Sequence, residues 1–141
     1  MSDILDTFNI AGSGLAAERL RMQTIATNMA NARTTRTAEG GPYQRRVPVF
    51  EAKQVDPFGD ELDRAASRVE VTEIKSDGKP PVRVYDPTHP DADATGYVEY
   101  PDINVLQEMV DLMTTSRTYE ANANVVEATR DMAMRALDIG R

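Results

Sequence analysis

Cysteine is absent from this sequence of 141 residues, and histidine occurs once, at position 89. The absence of cysteine excludes disulfide bonds, thiolate metal sites and a cysteine nucleophile. A glycine-rich phosphate-binding loop, a nucleophile elbow and paired carboxylates beside a base are also missing in any context that would support them. We therefore expect a protein that is not an enzyme and that uses no cofactor.

Long hydrophobic runs are missing as well, since no stretch approaches the roughly 18 apolar residues of a membrane span. The start, Met1-Ser2-Asp3, lacks the basic region and apolar core of a cleaved signal peptide. Positive charge is also scarce, because the formal net charge is −7 and the one adjacent basic pair is Arg45 and Arg46. Nucleic acids and anionic lipids bind clustered lysines and arginines. We therefore expect neither nucleic-acid binding nor direct membrane insertion.

The apolar residues that are present make up 40% of the chain, which is enough for a modest core at one-domain length. Many of them are alanine, which favours helix but buries little area. We expect an isolated monomer to be marginally stable and to gain stability from neighbouring subunits.

Residues 3–32 have the pattern of a long helix, with Ile25 at an intermediate position of the apolar face and Glu18 interrupting it. Residues spaced by seven form the face: Phe8, Leu15, Met22 and Met29. The triplet Gly12-Ser13-Gly14 predicts a kink, or a restart capped by Ser13.

Three asparagines within or at the ends of the predicted helices are poor helix formers: Asn28, Asn31 and Asn122. One interpretation is that they hydrogen-bond across subunits and fix the register, as a buried asparagine does in coiled coils. The alternative is that Asn28 and Asn31 simply end the first helix.

The middle of the chain predicts a loop at 33–44 followed by strands at 45–52 and 69–74. Asp77-Gly78, followed by residues 82–85, predicts a hairpin that joins the second and third strands. Between the first two strands we expect a turn at Pro57-Phe58-Gly59 and a short helical turn at 60–67.

The final segment predicts a helix of about 36 residues, with Asn104 as its cap, Gln107 reaching back to it, and Gly140 as its stop. At 1.5 Å per residue it would span roughly 54 Å, more than a domain of this size needs to cover its core. Steps of four and three give its apolar stripe: Val105, Met109, Leu112, Ser116, Tyr119, Ala123, Val126, Arg130, Ala133 and Leu137. A second stripe comprises Val125, Met132, Ala136 and Ile139.

These elements predict an α+β fold that is mainly α, with an N-terminal helical region at 1–36, a loop and small β-rich insert at 37–101, and a long C-terminal helix at 102–141. The two helices can pair as a coiled-coil-like hairpin. Pairing within the chain would leave part of the second helix exposed, and an exposed apolar face marks an interaction surface. We therefore expect the chain to polymerise.

The sequence IATNMANARTT at 25–35, followed by GPYQRR at 41–46, resembles the N-terminal signature of flagellar axial proteins. The stretch VYDPTHPDADATGYV at 84–98, with SRTYEAN at 116–122, is similar to the FlgC type of proximal-rod protein within that family. The resemblance covers essentially the whole chain. Glu18 stands where the family pattern leads us to expect glutamine.

The resemblance implies a structural subunit of the bacterial flagellar basal-body rod, a drive shaft that transmits torque across the periplasm. It implies export by the flagellar type III apparatus without cleavage, and contacts with copies of itself, with other proximal-rod and distal-rod proteins, and with the adaptor to the membrane ring. On this basis the expected subunit-interface residues are Phe8, Leu15, Met22, Ile25, Asn28, Met29, Asn31, Val105, Met109, Leu112, Ser116, Tyr119, Asn122, Ala123, Val126, Ala133 and Leu137.

Two other functions are considered. A soluble helical hairpin could serve as a secretion chaperone or adaptor that binds other chains transiently. A metal-binding enzyme is suggested by His89 among Asp86, Asp91 and Asp93, because histidine and carboxylates are common ligands. Prolines at 87 and 90 favour an extended turn there instead, with aspartates capping backbone amides. We expect a shaped loop without a metal.

Overall fold

The structure, a computed structural model, describes residues 2–54 and 67–139. Within these ranges, two long helices flank four strands in sequence, which confirms the α+β class and the predicted order of helix, β insert and helix. The elements are α1 Ser2–Ala30, β1 Arg46–Gln54, β2 Ser67–Ser76, β3 Val82–Tyr85, β4 Tyr97–Tyr100 and α2 Val105–Ile139. The predicted turn at 57–59 and the helical turn after it lie outside the described residues, apart from residue 67, where β2 begins.

Helix α1 is unbroken through its Gly-Ser-Gly triplet, so the predicted restart capped by Ser13 is wrong. The Ser13 hydroxyl donates to the carbonyl of Ile10 at 2.7 Å and accepts the backbone N–H of Val69 at 3.1 Å. Ser13 therefore joins α1 to β2. Further along α1, the Arg21 guanidinium lies 4.6 Å from the centre of the Phe50 ring, which attaches β1 to the same helix.

The strands form two separate antiparallel pairs. Strand β1 pairs with β2 from Arg46 opposite Ser76 to Gln54 opposite Ser67, and β3 pairs with β4. The predicted hairpin between β2 and β3 is therefore wrong, although Gly78 does have the positive φ of a turn, 71°. The physical reason is that Pro80 and Pro81 follow the turn and have no N–H to donate, and that β3 pairs with β4 instead. Strand β4 was not predicted.

A tight loop at residues 86–96 connects β3 to β4. The Asp86 N–H donates to the carbonyl of Gly96 at 2.9 Å and closes the loop. Gly96 has a φ of 84°, and a Cβ atom there would lie 2.9 Å from the Tyr85 ring. Both facts require glycine at this position.

Helix α2 begins where the sequence predicts, because the Asn104 Oδ1 accepts the backbone N–H groups of Leu106 and Gln107 at 3.1 and 3.2 Å. The Gln107 side chain donates forward to Asp111 at 3.0 Å and does not reach back to the cap. This cap defines the start of α2, directly after the β insert.

The two helices run antiparallel in a constant register. Asn28 meets Glu108 near one end, and Gly14 meets Asn122 further along. These two contacts are fourteen residues apart on each helix. The sheet of β1 and β2 packs on α1, whereas among the described elements α2 packs mainly against α1. Much of the circumference of α2 is therefore left without a covering element among residues 2–54 and 67–139.

Candidate assembly surface

A buried group of polar residues, here called the polar cluster, joins the helices where the β insert begins: Asn28, Tyr43, Arg45 and Glu108. Asn28 is fully buried, and all four of its hydrogen-bonding positions are used. Its Nδ2 donates to the Arg46 carbonyl at 2.9 Å and to Glu108 Oε2 at 3.3 Å. Its Oδ1 accepts the Tyr43 hydroxyl and the Arg46 N–H, each at 2.9 Å.

Glu108 is the acidic member of the cluster, with 1% of its surface exposed. The Arg45 Nε donates to its Oε1 at 2.7 Å, and a second guanidinium nitrogen lies 3.7 Å from Asp77 Oδ2. A buried carboxylate is tolerated because a cation and an amide satisfy it. Burial raises the pKa of the Tyr43 phenol; the charge of Arg46 opposes this effect and the charge of Glu108 adds to it. Tyr43 therefore stays a hydrogen-bond donor at neutral pH.

The face of α2 that contacts α1, here called the seam, is mostly small or polar. Buried or half-buried residues follow steps of four and three along it: Glu108, Leu112, Thr115, Tyr119, Asn122, Val126, Thr129 and Ala133. The hydroxyls of Thr115 and Thr129 donate to the carbonyls four residues earlier, at 2.7 and 2.8 Å, which leaves their methyl groups for packing. Such a seam buries little apolar area, so pairing within the chain is weakly stabilised.

The bulky apolar side chains of α2 lie mostly outside the seam. Large apolar residues that are more than 40% exposed are Val105, Leu106, Met109, Val110, Met113, Val125, Met132, Met134 and Leu137. Exposed apolar residues this dense on one helix are unusual for a monomer that faces water. The pattern is typical of a helix that other chains cover.

The predicted interface residues fall into three groups. Ile25 and Asn28 are buried within the chain. Val105, Met109 and Leu137 are exposed. The others are half-buried, either along the two helices or, for Asn31, just after α1: Phe8, Leu15, Met22, Met29, Asn31, Leu112, Ser116, Tyr119, Asn122, Ala123, Val126 and Ala133.

The predicted stripe of α2 thus coincides with the seam at every second position and lies one residue away from it at the positions between. Leu112, Tyr119, Val126 and Ala133 belong to both. At the alternate positions the structure buries Glu108, Thr115 and Thr129, which an apolar pattern does not select. Their spacing of seven residues, shared with Asn122, is the signal that could have identified them.

The aspartates of the loop at 86–96 accept hydrogen bonds from other groups of the protein. Asp93 Oδ1 accepts the Thr95 hydroxyl and the N–H groups of Thr95 and Tyr97 at 2.6 to 3.0 Å, while its Oδ2 meets Arg83 at 2.6 Å. These hydrogen bonds hold the pKa of the Asp93 carboxyl well below its usual range. The Thr88 hydroxyl and N–H likewise lower the pKa of Asp86.

The side chains around His89 are similarly engaged within the protein. The His89 Nδ1 accepts the N–H of Asp91 at 3.1 Å, and Asp91 Oδ2 accepts the Thr35 hydroxyl at 2.7 Å. Over residues 2–54 and 67–139, no three acidic or histidine side chains are grouped so that they could hold a metal ion. In the same ranges, neither helix is both long and apolar enough to cross a membrane.

Known proteins resemble this chain over nearly its full length. The family described as flagellar basal body rod FlgEFG protein C-terminal matches residues 94–139, which include β4 and α2. The flagellar basal-body rod protein FlgC of Borreliella burgdorferi is 40% identical, over 96% of this chain and 97% of the relative.

Two further relatives agree. The FlgC proteins of Bacillus subtilis and Salmonella typhimurium are 39% and 38% identical. Their alignments cover 96% and 98% of this chain, and 97% and 98% of the relatives. The chain therefore belongs to the FlgC family of flagellar basal-body rod proteins, and it is a structural subunit of the rod and not an enzyme.

Proposed function

We propose that this chain builds the proximal part of the rod by polymerising through its two terminal helices. The observation that carries the proposal is the contrast on α2 between a seam of small and polar residues and an outer surface of exposed valine, leucine and methionine. Within one chain, α1 covers the side that has little apolar area to bury. Covering the rest requires helices from other subunits, which gives a bundle with coiled-coil-like packing.

The partners in this proposal are other copies of the chain and other proteins of the proximal rod, the distal rod and the adaptor to the membrane ring. The exposed residues Val105, Met109 and Leu137 are the contacts that we expect between subunits. The half-buried interface residues supply both internal and intersubunit packing. Asn28 is left out of the intersubunit set, because its hydrogen bonds are all satisfied within the chain.

The proposal extends to location and delivery. Residues 1–36 and 102–141 form the assembly helices, and 37–101 form the insert between them. The rod crosses the periplasm and transmits torque, and the flagellar type III apparatus exports the chain unfolded and uncleaved. A weakly stabilised monomer supports this route, because unfolding such a chain costs little free energy before export and the assembly supplies the missing contacts afterwards.

Fractionation tests the proposal. Purified basal bodies should contain the chain at fixed stoichiometry, and rod-defective cells should release it into the periplasm or the medium with its N-terminal residues intact. A chaperone or adaptor would instead stay in the cytoplasm. Absence of the chain from basal bodies that rotate normally would contradict the proposal.

A further inference from the structure

A groove runs along α1 between α2 and the sheet of β1 and β2. Its first compartment, about 370 Å³, includes Ile25, Pro48 and Phe50. Its second, about 470 Å³, includes Ile10, Glu18 and Phe50. The compartments share Arg21 and Phe50, so they form one mostly apolar channel beside the seam.

One carboxylate oxygen in this groove accepts no hydrogen bond. The Oε2 of Glu18 is buried and accepts no hydrogen bond from any described residue. The nearest cation is the Arg21 Nε, which lies 3.6 Å away while its guanidinium stacks on Phe50. A buried carboxylate oxygen without a donor is costly. The groove is therefore suited to a cationic side chain that arrives with apolar neighbours.

The chain itself carries a side-chain stripe of this kind. On α2, Leu106, Val110, Met113 and Arg117 follow steps of four, three and four, and all four are exposed. Each lies two residues before a seam residue, which places it about 200° around the helix, on the side facing away from α1. Within the described part of the chain, Arg117 has no ion pair.

The spacings of the two surfaces match. Seven residues separate Ile25 from Glu18 on α1, and seven separate Val110 from Arg117 on α2, about 10 Å in each case. If Val110 of a second copy lies beside Ile25 of the first copy, then Arg117 of the second copy lies beside Glu18 of the first. The α2 helix of the second copy then runs antiparallel to α1 of the first copy and parallel to its α2. The two copies therefore point in the same direction and are nearly level along the helix axis.

We propose that the outer stripe of α2 in one copy, Leu106, Val110, Met113 and Arg117, occupies the groove of the next copy, with Arg117 paired to Glu18. Groove and stripe lie on different faces, so the contact is heterologous and repeats around a ring or a shallow helix. This inference rests on the proposed function and names the occupant of the groove as a second copy of this chain.

Disulfide crosslinking tests the contact directly, because the chain has no cysteine of its own. The full-length Glu18→Cys/Arg117→Cys protein, oxidised in flagellated cells, should give dimers and larger multimers that reduction dissolves. The control is Arg19→Cys/Arg117→Cys, since Arg19 is exposed and one position around α1 from the groove. It should give at least tenfold fewer multimers.

Charge exchange gives an independent readout. Glu18→Lys and Arg117→Glu alone should each lower incorporation into basal bodies at least tenfold, and the double variant should recover at least half of the wild-type level. The inference is overturned if the double variant is no better than the single ones, or if the single variants incorporate normally. Absence of the wild-type chain from basal bodies would instead overturn the proposed function.

Discussion

Asn28 of α1 and Glu108 of α2 face each other in the interior of the protein, with Asn28 Nδ2 donating to Glu108 Oε2 at 3.3 Å. Eighty positions separate them in sequence. Both are almost completely buried, and Arg45 completes the charge balance from the start of the β insert. A fully satisfied polar contact in a seam of small residues selects one register, because any shifted pairing would leave a buried charge without a partner.

Replacing Glu108 by glutamine tests the contribution of its charge. Glu108→Gln should lower the free energy of unfolding by about 1.5–3 kcal/mol, because it removes a charge-assisted hydrogen bond and leaves the Arg45 guanidinium without its closest anion. Urea unfolding followed by helical circular dichroism measures the change. The control Glu120→Gln, on the exposed side of α2, should stay within about 0.5 kcal/mol. Equal effects of the two variants would show that the cluster adds nothing to stability.

Two glycines in α1 differ in what a side chain would meet. A Cβ at Gly12 meets nothing within 4 Å, so Gly12→Ala should stabilise the helix by about 0.5–1 kcal/mol. A Cβ at Gly14 would lie 3.1 Å from Asn122 Nδ2, so Gly14→Ala should gain less, and Gly14→Leu should destabilise the protein. Thermal unfolding of the three variants measures the order. A stabilising Gly14→Leu would contradict the close approach of the helices.

Asp93 makes the loop at 86–96 sensitive to strong acid. Its folded-state pKa lies below that of an unfolded aspartate, so its stabilisation is present above the usual aspartate pKa and is lost as the pH falls through the lowered value. An NMR titration of the carboxyl carbon should show this depressed pKa. Thr95→Ala should raise it toward normal, because the Thr95 hydroxyl is the largest contribution. An unchanged titration in Thr95→Ala would contradict the assigned cause.

Leu137 tests the role of the exposed end of α2. The register that places Asn28 opposite Glu108 places Ser2 opposite residue 134, so Leu137 lies beyond α1 and is 65% exposed. Leu137→Asp should leave the monomer folded and exported but abolish incorporation into the rod. Each contact would lose roughly 1.5–3 kcal/mol of burial, and a desolvated carboxylate would add a few more.

Basal-body composition and motility measure the outcome, with Leu137→Met as the conservative control. The variant should appear unassembled outside the cytoplasm, in cells that do not swim. Wild-type incorporation of Leu137→Asp with normal swimming would show that this end of α2 makes no essential contact.

The helices and most of the strands could be predicted from the amino-acid sequence alone. Periodicity of seven residues, the Asn104 cap and alternating apolar residues are local signals, and a local hydrogen bond or a helix face responds to them directly. The family was also readable from the motifs at 25–35 and 84–98, because those segments are similar to the family at the level of the residues themselves.

Which surfaces meet could be learned only from the three-dimensional structure. Strand β2 pairs with β1 and not with the predicted β3. This pairing depends on contacts between residues that are far apart in sequence, such as Arg46 and Ser76.

The structure places Glu108, Thr115 and Thr129 in the seam, because Arg45 and Asn28 compensate the charge and helix carbonyls take up the hydroxyls. The larger apolar residues consequently point outward. A hydrophobic pattern identifies residues that need burial, but whether the same chain or another one buries them is decided by three-dimensional packing.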